Sequence, residues 1–510
     1  MSKGLLKSSL SVSSMTFLSR LLGFARDVII ARVFGASLVA DAFFVAFKIP
    51  NFLRRLFAEG AFSLAFVPVF SEYKTQRDEG DVKRLADGVA ASLGGILLIV
   101  TIIGVIAAPI IITIFAPGFV GNEEKFDLAV AMLRLTFPYI FFVSLTAFAG
   151  AILNTYGRFA IPAFTPVLLN VVLIFAAVVV APNFEQPIMA LAWGVFFAGL
   201  VQLLFQFPFL LKIKMLPRPR INADVEGVNR IKKLMIPTLF GSSVAQINLL
   251  IDTLIASFLV TGSISWLYYS DRLVEFPLGI FGVALATVIL PKLSQEHSKD
   301  SPEQFSHTLN WALTWVLVVA VPSTAGLALL SEEMLLTLFQ YGEFTTHDVE
   351  MAGKSLVAYS LGLGAFILVK VVASGFYSRQ DTKTPVKIAI IAMVTNMVLN
   401  AILVFPLAHV GLALATSLSS WLNAGLLFYM LKRDGAFKLE SGWMLMFARV
   451  VLASLVMVVA LVLALPQLDN WVGLVWFERA GLLLLGLALG VVTYVISLFV
   501  LGLRWKHLVK

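Results

Sequence analysis

Long apolar stretches, each ended by turn-forming or charged residues, recur along the whole 510-residue chain. A helix that crosses a bilayer needs about 20 mostly apolar residues. Fourteen stretches meet that rule, near 12–34, 38–66, 88–115, 128–153, 161–181, 187–211, 235–261, 266–291, 308–330, 353–376, 385–406, 410–431, 444–465 and 480–503. The breaks carry turn chemistry, as in Ala116-Pro117-Gly118, Ala181-Pro182-Asn183, Thr261-Gly262-Ser263 and Asp434-Gly435. Alternating ten-residue strands, the mark of a membrane β-barrel, are not seen. The pattern predicts an all-α polytopic membrane protein of about 14 transmembrane helices.

Composition supports this. Apolar residues make up 59% of the chain and charged residues 13%, against roughly 25% charged in soluble proteins. That charge cannot coat a soluble surface of this size. Phe supplies 42 of the aromatic side chains, as lipid-facing helices require. With no Cys there is no disulfide framework, thiolate metal site or Cys nucleophile. The five His form no close pair, which excludes zincin-type metal chemistry. Lys3 and Lys7 stand among serines at the start, but Arg20, Arg26 and Asp27 interrupt the apolar region a signal peptide would need, so the segment is expected to be retained.

Cytoplasmic loops collect Lys and Arg. With both termini inside, nearly all loop Lys and Arg fall on the cytoplasmic side, and only Lys125, Lys354 and Arg479 lie outside or at outer span edges. Topology and anionic lipid account for the net charge of +8 without a nucleic-acid partner.

An internal repeat is visible. Pro68 recurs as Pro291 and Pro162 as Pro385, each 223 positions later, while Phe115 and Gly118 recur as Phe339 and Gly342, 224 later. Six spans precede the basic stretch and six follow it. The expected organisation is therefore an N-terminal six-helix bundle (1–211), a basic cytoplasmic linker (212–233), a C-terminal six-helix bundle in parallel repeat (234–432) and two extra C-terminal helices (433–510). Parallel repeats are a transporter architecture with the substrate site at the repeat interface.

Ionisable residues inside spans are costly and mark function. The first two spans hold Arg20, Arg26, Asp27, Arg32, Asp41, Lys48, Arg54, Arg55 and Glu59, and the eighth holds Asp271, Arg272 and Glu275. Asp41, Lys48 and Arg55 are spaced by seven and share a stripe with Asn51 and Glu59. Such stripes are expected to line a wet, cationic cavity between the bundles that suits phosphate or pyrophosphate, which Arg grips through two parallel hydrogen bonds. Snorkelling at a span end is the other reading for Arg32, Arg54, Arg55 and Glu59, and Asp27 has the alternative of neutralising a neighbouring Arg. Asp252, a lone carboxylate with Asn248 one turn before it, is a candidate for Na⁺ or H⁺ coupling or for an ion pair.

The runs Ser19–Asp27, Asp41–Asn51 and Arg54–Phe62, the pair Tyr268-Tyr269 with Asp271–Pro277, and the run Phe376–Pro385 resemble the MurJ (MviN) lipid II flippases of the MOP exporter superfamily. The resemblance runs over essentially the whole chain. It implies two six-helix bundles plus two C-terminal helices forming a groove for a lipid tail. It also implies export of lipid II, an undecaprenyl-pyrophosphate-linked disaccharide-pentapeptide, across the bacterial inner membrane for peptidoglycan synthesis. The functional charges it carries over are Arg20, Arg26, Asp41, Arg54, Arg55, Glu59, Asp271, Arg272 and Glu275, with Ser265 lining the cavity. A family Na⁺ site would fall on Asp252, but the eleventh span offers no matching acid. Expected partners are lipid II, membrane lipids and the peptidoglycan synthesis machinery; no cofactor is expected beyond a coupling Na⁺. Competing readings are export of another lipid-linked oligosaccharide, a multidrug or cation antiporter of the same fold, whose cavity would be acidic, and a membrane enzyme, for which catalytic loops are missing.

Overall fold

The computed structural model describes residues 3–56, 62–221, 223–299, 301–466 and 468–503. Among these residues there is no β-strand. Contact density divides the chain into two compact units, Met1–Ser265 and Trp266–Lys510.

The first unit runs through α1 (Lys3–Phe34), α2 (Leu38–Arg54), α3 (Ser63–Gln76), α4 (Glu79–Ile106), α5 (Ala108–Phe115), α6 (Glu123–Thr136), α7 (Tyr139–Thr155), α8 (Ala160–Phe175), α9 (Met189–Lys212) and α10 (Val225–Ala256). Helix α1 packs on α8, α2 on α6, α7 on α9, and α10 on α3 and α4. Because α10 lies on these earlier helices, the unit boundary falls at Ser265 and not in the basic 212–233 stretch. Lipid tails are as apolar as Leu, so close packing and hydrogen bonds hold such helices together. A Phe cluster supplies part of that packing: the Phe66 ring stands edge-on to Phe148 at 5.2 Å and stacks on Phe70 at 4.9 Å. Gly118, one of the repeat anchors, touches the turn after α10. A Cβ there would lie 2.2 Å from the Ser257 carbonyl oxygen, and its own N–H donates to Ser257 Oγ at 3.0 Å.

The second unit begins within α11 (Ser263–Pro277) and continues through a wide five-residue turn of helix (Leu278–Gly282) to α12 (Val283–Ser298). Then follow α13 (Pro302–Leu329), α14 (Ser331–Phe339), α15 (Thr346–Ser360), α16 (Leu363–Tyr377), α17 (Lys383–Arg433), α18 (Trp443–Ala464), α19 (Leu468–Val472) and α20 (Trp476–Val500). The last long pair, α18 and α20, packs side by side, with α18 also on α13. Tyr494 Oη ties α20 to the Val318 carbonyl at 2.7 Å.

Ten helices are long and apolar enough to cross a membrane, by length and composition among the described residues. Of the fourteen expected spans, the first, second and seventh are outside that set. The eleventh and twelfth form one helical stretch, α17, broken at Ala408 (φ 49°, ψ −128°) just after Pro406. Proline removes a helical hydrogen bond and clashes with the preceding turn, so this break falls where the sequence placed it. The repeat anchors also hold their places: Pro162 and Pro385 each occupy the third position of a helix, and Pro68 and Pro291 each sit inside one.

The repeat extends to a hydrogen-bonded latch that hydropathy does not reveal. In the first unit Asp87 Oδ1 accepts from Lys83 Nζ (2.9 Å) and from the Arg218 N–H (2.7 Å), while Lys83 also donates to the Leu216 carbonyl. In the second, Ser306 and Asn310, each 223 positions later, pin the chain after α17. Asn310 Nδ2 donates to the Lys438 carbonyl at 2.8 Å, Ser306 Oγ donates to the same oxygen at 2.9 Å, and the Glu440 N–H donates to Asn310 Oδ1 at 3.3 Å. One latch is ionic and the other neutral. Both satisfy backbone groups of a segment that leaves a sixth helix with no regular structure of its own.

Candidate functional site

Ser37 caps α2 by accepting from the Ala40 N–H, which sets Asp41 in the first helical turn. Asn122 caps α6 by accepting the Lys125 N–H at 3.0 Å, with Glu123 and Glu124 favouring the positive helix end. These two starts bring Lys125 Nζ to Asp41 Oδ2 at 2.9 Å. The Gly262 N–H donates to the same oxygen at 2.8 Å. Ser265 donates to Oδ1 through both its N–H (3.0 Å) and its hydroxyl (2.7 Å). Asp41 is 1% exposed and accepts four hydrogen bonds, three of them from Gly262 and Ser265 at the end of the first unit. The stripe expected along α2 is thus split. Asp41 is enclosed, whereas Lys48, Asn51, Arg54 and Arg55 are half-buried. Arg54 Nε donates to Asn51 Oδ1 at 2.9 Å, and Lys48 Nζ donates to Thr253 Oγ1 at 2.5 Å, beside half-buried Asp252. Glu59 lies outside the described residues.

On α1, Arg20 is exposed and Arg26 is buried. Arg26 donates through Nε (2.9 Å) and Nη2 (2.6 Å) to Asp27 Oδ1, and through Nη1 to Asn170 Oδ1 at 3.0 Å. Asn170 on α8 returns a bond to the Ser19 carbonyl at 3.0 Å, which fixes its amide against α1. Asp27 does neutralise its neighbouring arginine. Guanidinium, carboxylate and amide form a charge-assisted set in which every contact is short.

In the second unit Asp271, Arg272 and Glu275 are all half-buried on α11. Arg272 Nη1 donates to Glu275 Oε2 at 2.7 Å, Nη2 donates to Tyr268 Oη at 3.2 Å, and the guanidinium lies 5.2 Å from the Tyr268 ring centre. A planar cation held on an aromatic face and paired with a partly exposed carboxylate can exchange that carboxylate for another anion.

No group of three or more His, Asp or Glu able to hold a metal ion occurs among the described residues. Beside Asp252, the Thr253 hydroxyl accepts from Lys48 Nζ.

Sequence reasoning placed Lys125 in an outer loop and Arg479 at a span edge, but both are buried. Arg479 donates to the Trp471 (3.1 Å) and Val472 (2.7 Å) carbonyls and to Gln340 Oε1 (2.8 Å). The signal was available: they are two of three basic residues on the side the positive-inside rule depletes. Asn170 left a comparable trace, as a polar residue within an otherwise apolar span.

Long apolar helices with paired charges inside them define a multi-pass membrane protein of transporter type, and comparison with known proteins narrows this. The family model described as "Lipid II flippase MurJ" matches residues 30–480. The chain is 50% identical to the "Probable lipid II flippase MurJ" of Vibrio cholerae, over 99% of this chain and 98% of that one. It is 42% identical to the "Lipid II flippase MurJ" of Burkholderia cenocepacia, over 99% and 98%. Among solved structures it superposes on a lipid II flippase MurJ in an inward closed conformation with a TM-score of 0.81, at 30% identity over 95% and 97% of the two chains. An inward-facing multidrug MATE transporter of the MOP superfamily shares the fold alone, with a TM-score of 0.69 at 15% identity over 84% and 98%. The chain belongs to the lipid II flippase MurJ family.

Proposed function

We propose that this protein moves lipid II from the inner to the outer leaflet of the bacterial inner membrane by alternating access, with both termini cytoplasmic. The observation that carries the reading is the 50% identity, end to end, with a relative named for this activity. The charged side chains supply its chemistry. Lipid II presents a pyrophosphate, and a guanidinium fork matches phosphate oxygens two at a time. Arg272 and Glu275 have side chains 33% and 44% exposed, and ion pairs this open contribute little. A doubly charged pyrophosphate can therefore displace Glu275. Arg26, buried against Asp27 and Asn170, needs a change of conformation to meet an anion, and such a change would couple anion contact to the transport cycle.

No bond is made or broken on this reading, so the protein acts as a carrier and not as an enzyme. Its partners are lipid II, the surrounding lipids and the peptidoglycan synthesis machinery that consumes the product. Export is driven chiefly by the membrane potential, because a doubly charged pyrophosphate is pushed outward from a negative interior. A cation antiporter of the same fold would need acidic groups where Arg26 and Arg272 stand.

The test is reconstitution of the purified protein in vesicles with lipid II, read by an impermeant reagent that modifies its headgroup on the far leaflet. The protein should accelerate exposure over protein-free vesicles. No acceleration in either insertion orientation would remove the proposal.

A further inference from the structure

Two grooves flank α4 at the end that carries the basic 212–233 segment, and nothing in the transport reading uses them. One, of about 490 Å³, is lined by Leu98, Phe141, Phe148, Phe207 and Pro219; the other, of about 410 Å³, by Ile96, Ile99, Ile221, Val228 and Lys232. Both volumes fall in the range of ligand sites. Ala91 and Gly95 on α4 border both grooves, and around them α4 exposes Ile96, Leu98 and Ile99. The grooves thus open along a helix that is apolar enough to lie in lipid.

The segment that crosses this end of α4 has no regular structure from 215 to 220 and is pinned by the bond from the Arg218 N–H to Asp87. Leu216, Pro217 and Pro219 line the first groove and Ile221 the second. Arg218 and Arg220, which alternate with them, line neither groove and are exposed, as is Lys232 at the rim of the second. Apolar walls beside exposed cations, with the Asp224 carboxylate on the second wall accepting the Gly227 N–H as the cap of α10, match one kind of ligand by charge and by polarity. That ligand has a hydrocarbon chain and an anionic head lying at the membrane surface.

We infer that this end of α4 is a binding site for an anionic glycerophospholipid of the leaflet bordering the basic segment. An acyl chain lies along Gly94 and Gly95, and the phosphate is held by Arg218 and Arg220. The bound lipid fastens the 215–221 segment to α4, alongside the latch at Asp87. The inference is independent of the cargo, so its failure leaves the flippase reading untouched.

Native mass spectrometry tests it on the full-length protein, released from nanodiscs containing equal phosphatidylglycerol and phosphatidylethanolamine. The wild type should retain phosphatidylglycerol several-fold over phosphatidylethanolamine. The double variant Arg218→Gln/Arg220→Gln should fall to parity with its folding unchanged, because both side chains are exposed. Gly95→Leu should lower the number of retained lipids by one; a Cβ at Gly95 meets no atom within 4 Å, so leucine fills groove and not core. Gly481→Leu on α20, equally open, is the control and should change nothing. No headgroup preference in the wild type would overturn the inference. So would full preference in both variants, or displacement of phosphatidylglycerol by equimolar undecaprenyl phosphate.

Discussion

Asp41 and Ser265 are joined by two hydrogen bonds, from the serine N–H at 3.0 Å and from its hydroxyl at 2.7 Å, and they stand 224 positions apart. That is close to the spacing of the repeat: Phe115 and Phe339, and Gly118 and Gly342, differ by 224, while Pro68 and Pro291 differ by 223. The bond therefore joins two positions separated by nearly the repeat length, one carrying a carboxylate and the other the donor that satisfies it.

Removing the Asp41 charge should be costly because Lys125 is buried with it. Asp41→Asn leaves an ammonium without its counter-charge, and breaking a buried pair in this way costs about 3–5 kcal/mol. The double variant Asp41→Asn/Lys125→Met should recover much of that loss. Thermal unfolding in detergent checks both, and equal destabilisation in the single and double variants would show that the pair is not coupled.

The two latches should act locally and separately. Asp87→Ala removes the acceptor of the Arg218 N–H and one of the acceptors of Lys83, and Asn310→Ala removes the acceptor of the Glu440 N–H and one of the donors to the Lys438 carbonyl. Each loses hydrogen bonds worth about 0.5–1.5 kcal/mol apiece, more where a charge takes part. Limited proteolysis should show faster cleavage near 216–220 in the first variant and near 438–441 in the second. Cleavage at both places in either variant would contradict this independence.

Acid should weaken the link between α3 and α10. Arg230 donates to both oxygens of Glu72, at 2.9 and 2.7 Å. These hydrogen bonds, and then the guanidinium charge, hold the carboxyl below the usual glutamate range. A carboxylate with a lowered pKa contributes stability above its unfolded-state value and loses it as pH falls through the folded one. Glu72→Gln should thus differ from wild type in unfolding midpoint at pH 7 and match it in strong acid. The pair is exposed, so the difference should be small and should shrink in high salt.

Much of the fold was legible because lipid makes hydrophobicity nearly the only requirement along a span. The break near Ala408 falls in the gap between the apolar stretches 385–406 and 410–431, and the repeat was marked by its prolines. Helix starts were less legible: α4 begins at Glu79, where the apolar pattern alone placed a start at 88. The extra turns carry Lys83 and Asp87, whose partners lie in a segment more than a hundred residues later. Lys125 was missed for a related reason. A buried lysine and a loop lysine read alike until the carboxylate 84 positions away is brought beside it. Arg26 was found by its cost in a membrane, but its support from Asn170 depends on α8 packing against α1.

Export should depend on the membrane potential. Each charge is worth about 2.3 kcal/mol per 100 mV, so a pyrophosphate with two charges gains roughly 4.6 kcal/mol when it moves outward from a negative interior. Collapsing the potential with a K⁺ ionophore, with any Na⁺ gradient preserved, should slow flipping in vesicles. An unchanged rate would assign the driving force elsewhere.

The most direct test of the anion-gripping role is to measure lipid II flipping by purified Arg272→Ala and Arg272→Lys beside wild type, with folded protein quantified in the same vesicles. Arg272 is already accessible and makes contacts that lysine cannot copy. Alanine should reduce the rate by at least tenfold, as expected for loss of a charge-assisted contact of about 1.5–3 kcal/mol. Lysine should restore it only in part, because an ammonium keeps the charge and loses the planar fork. Wild-type rates in the alanine variant at equal folded protein would contradict the account.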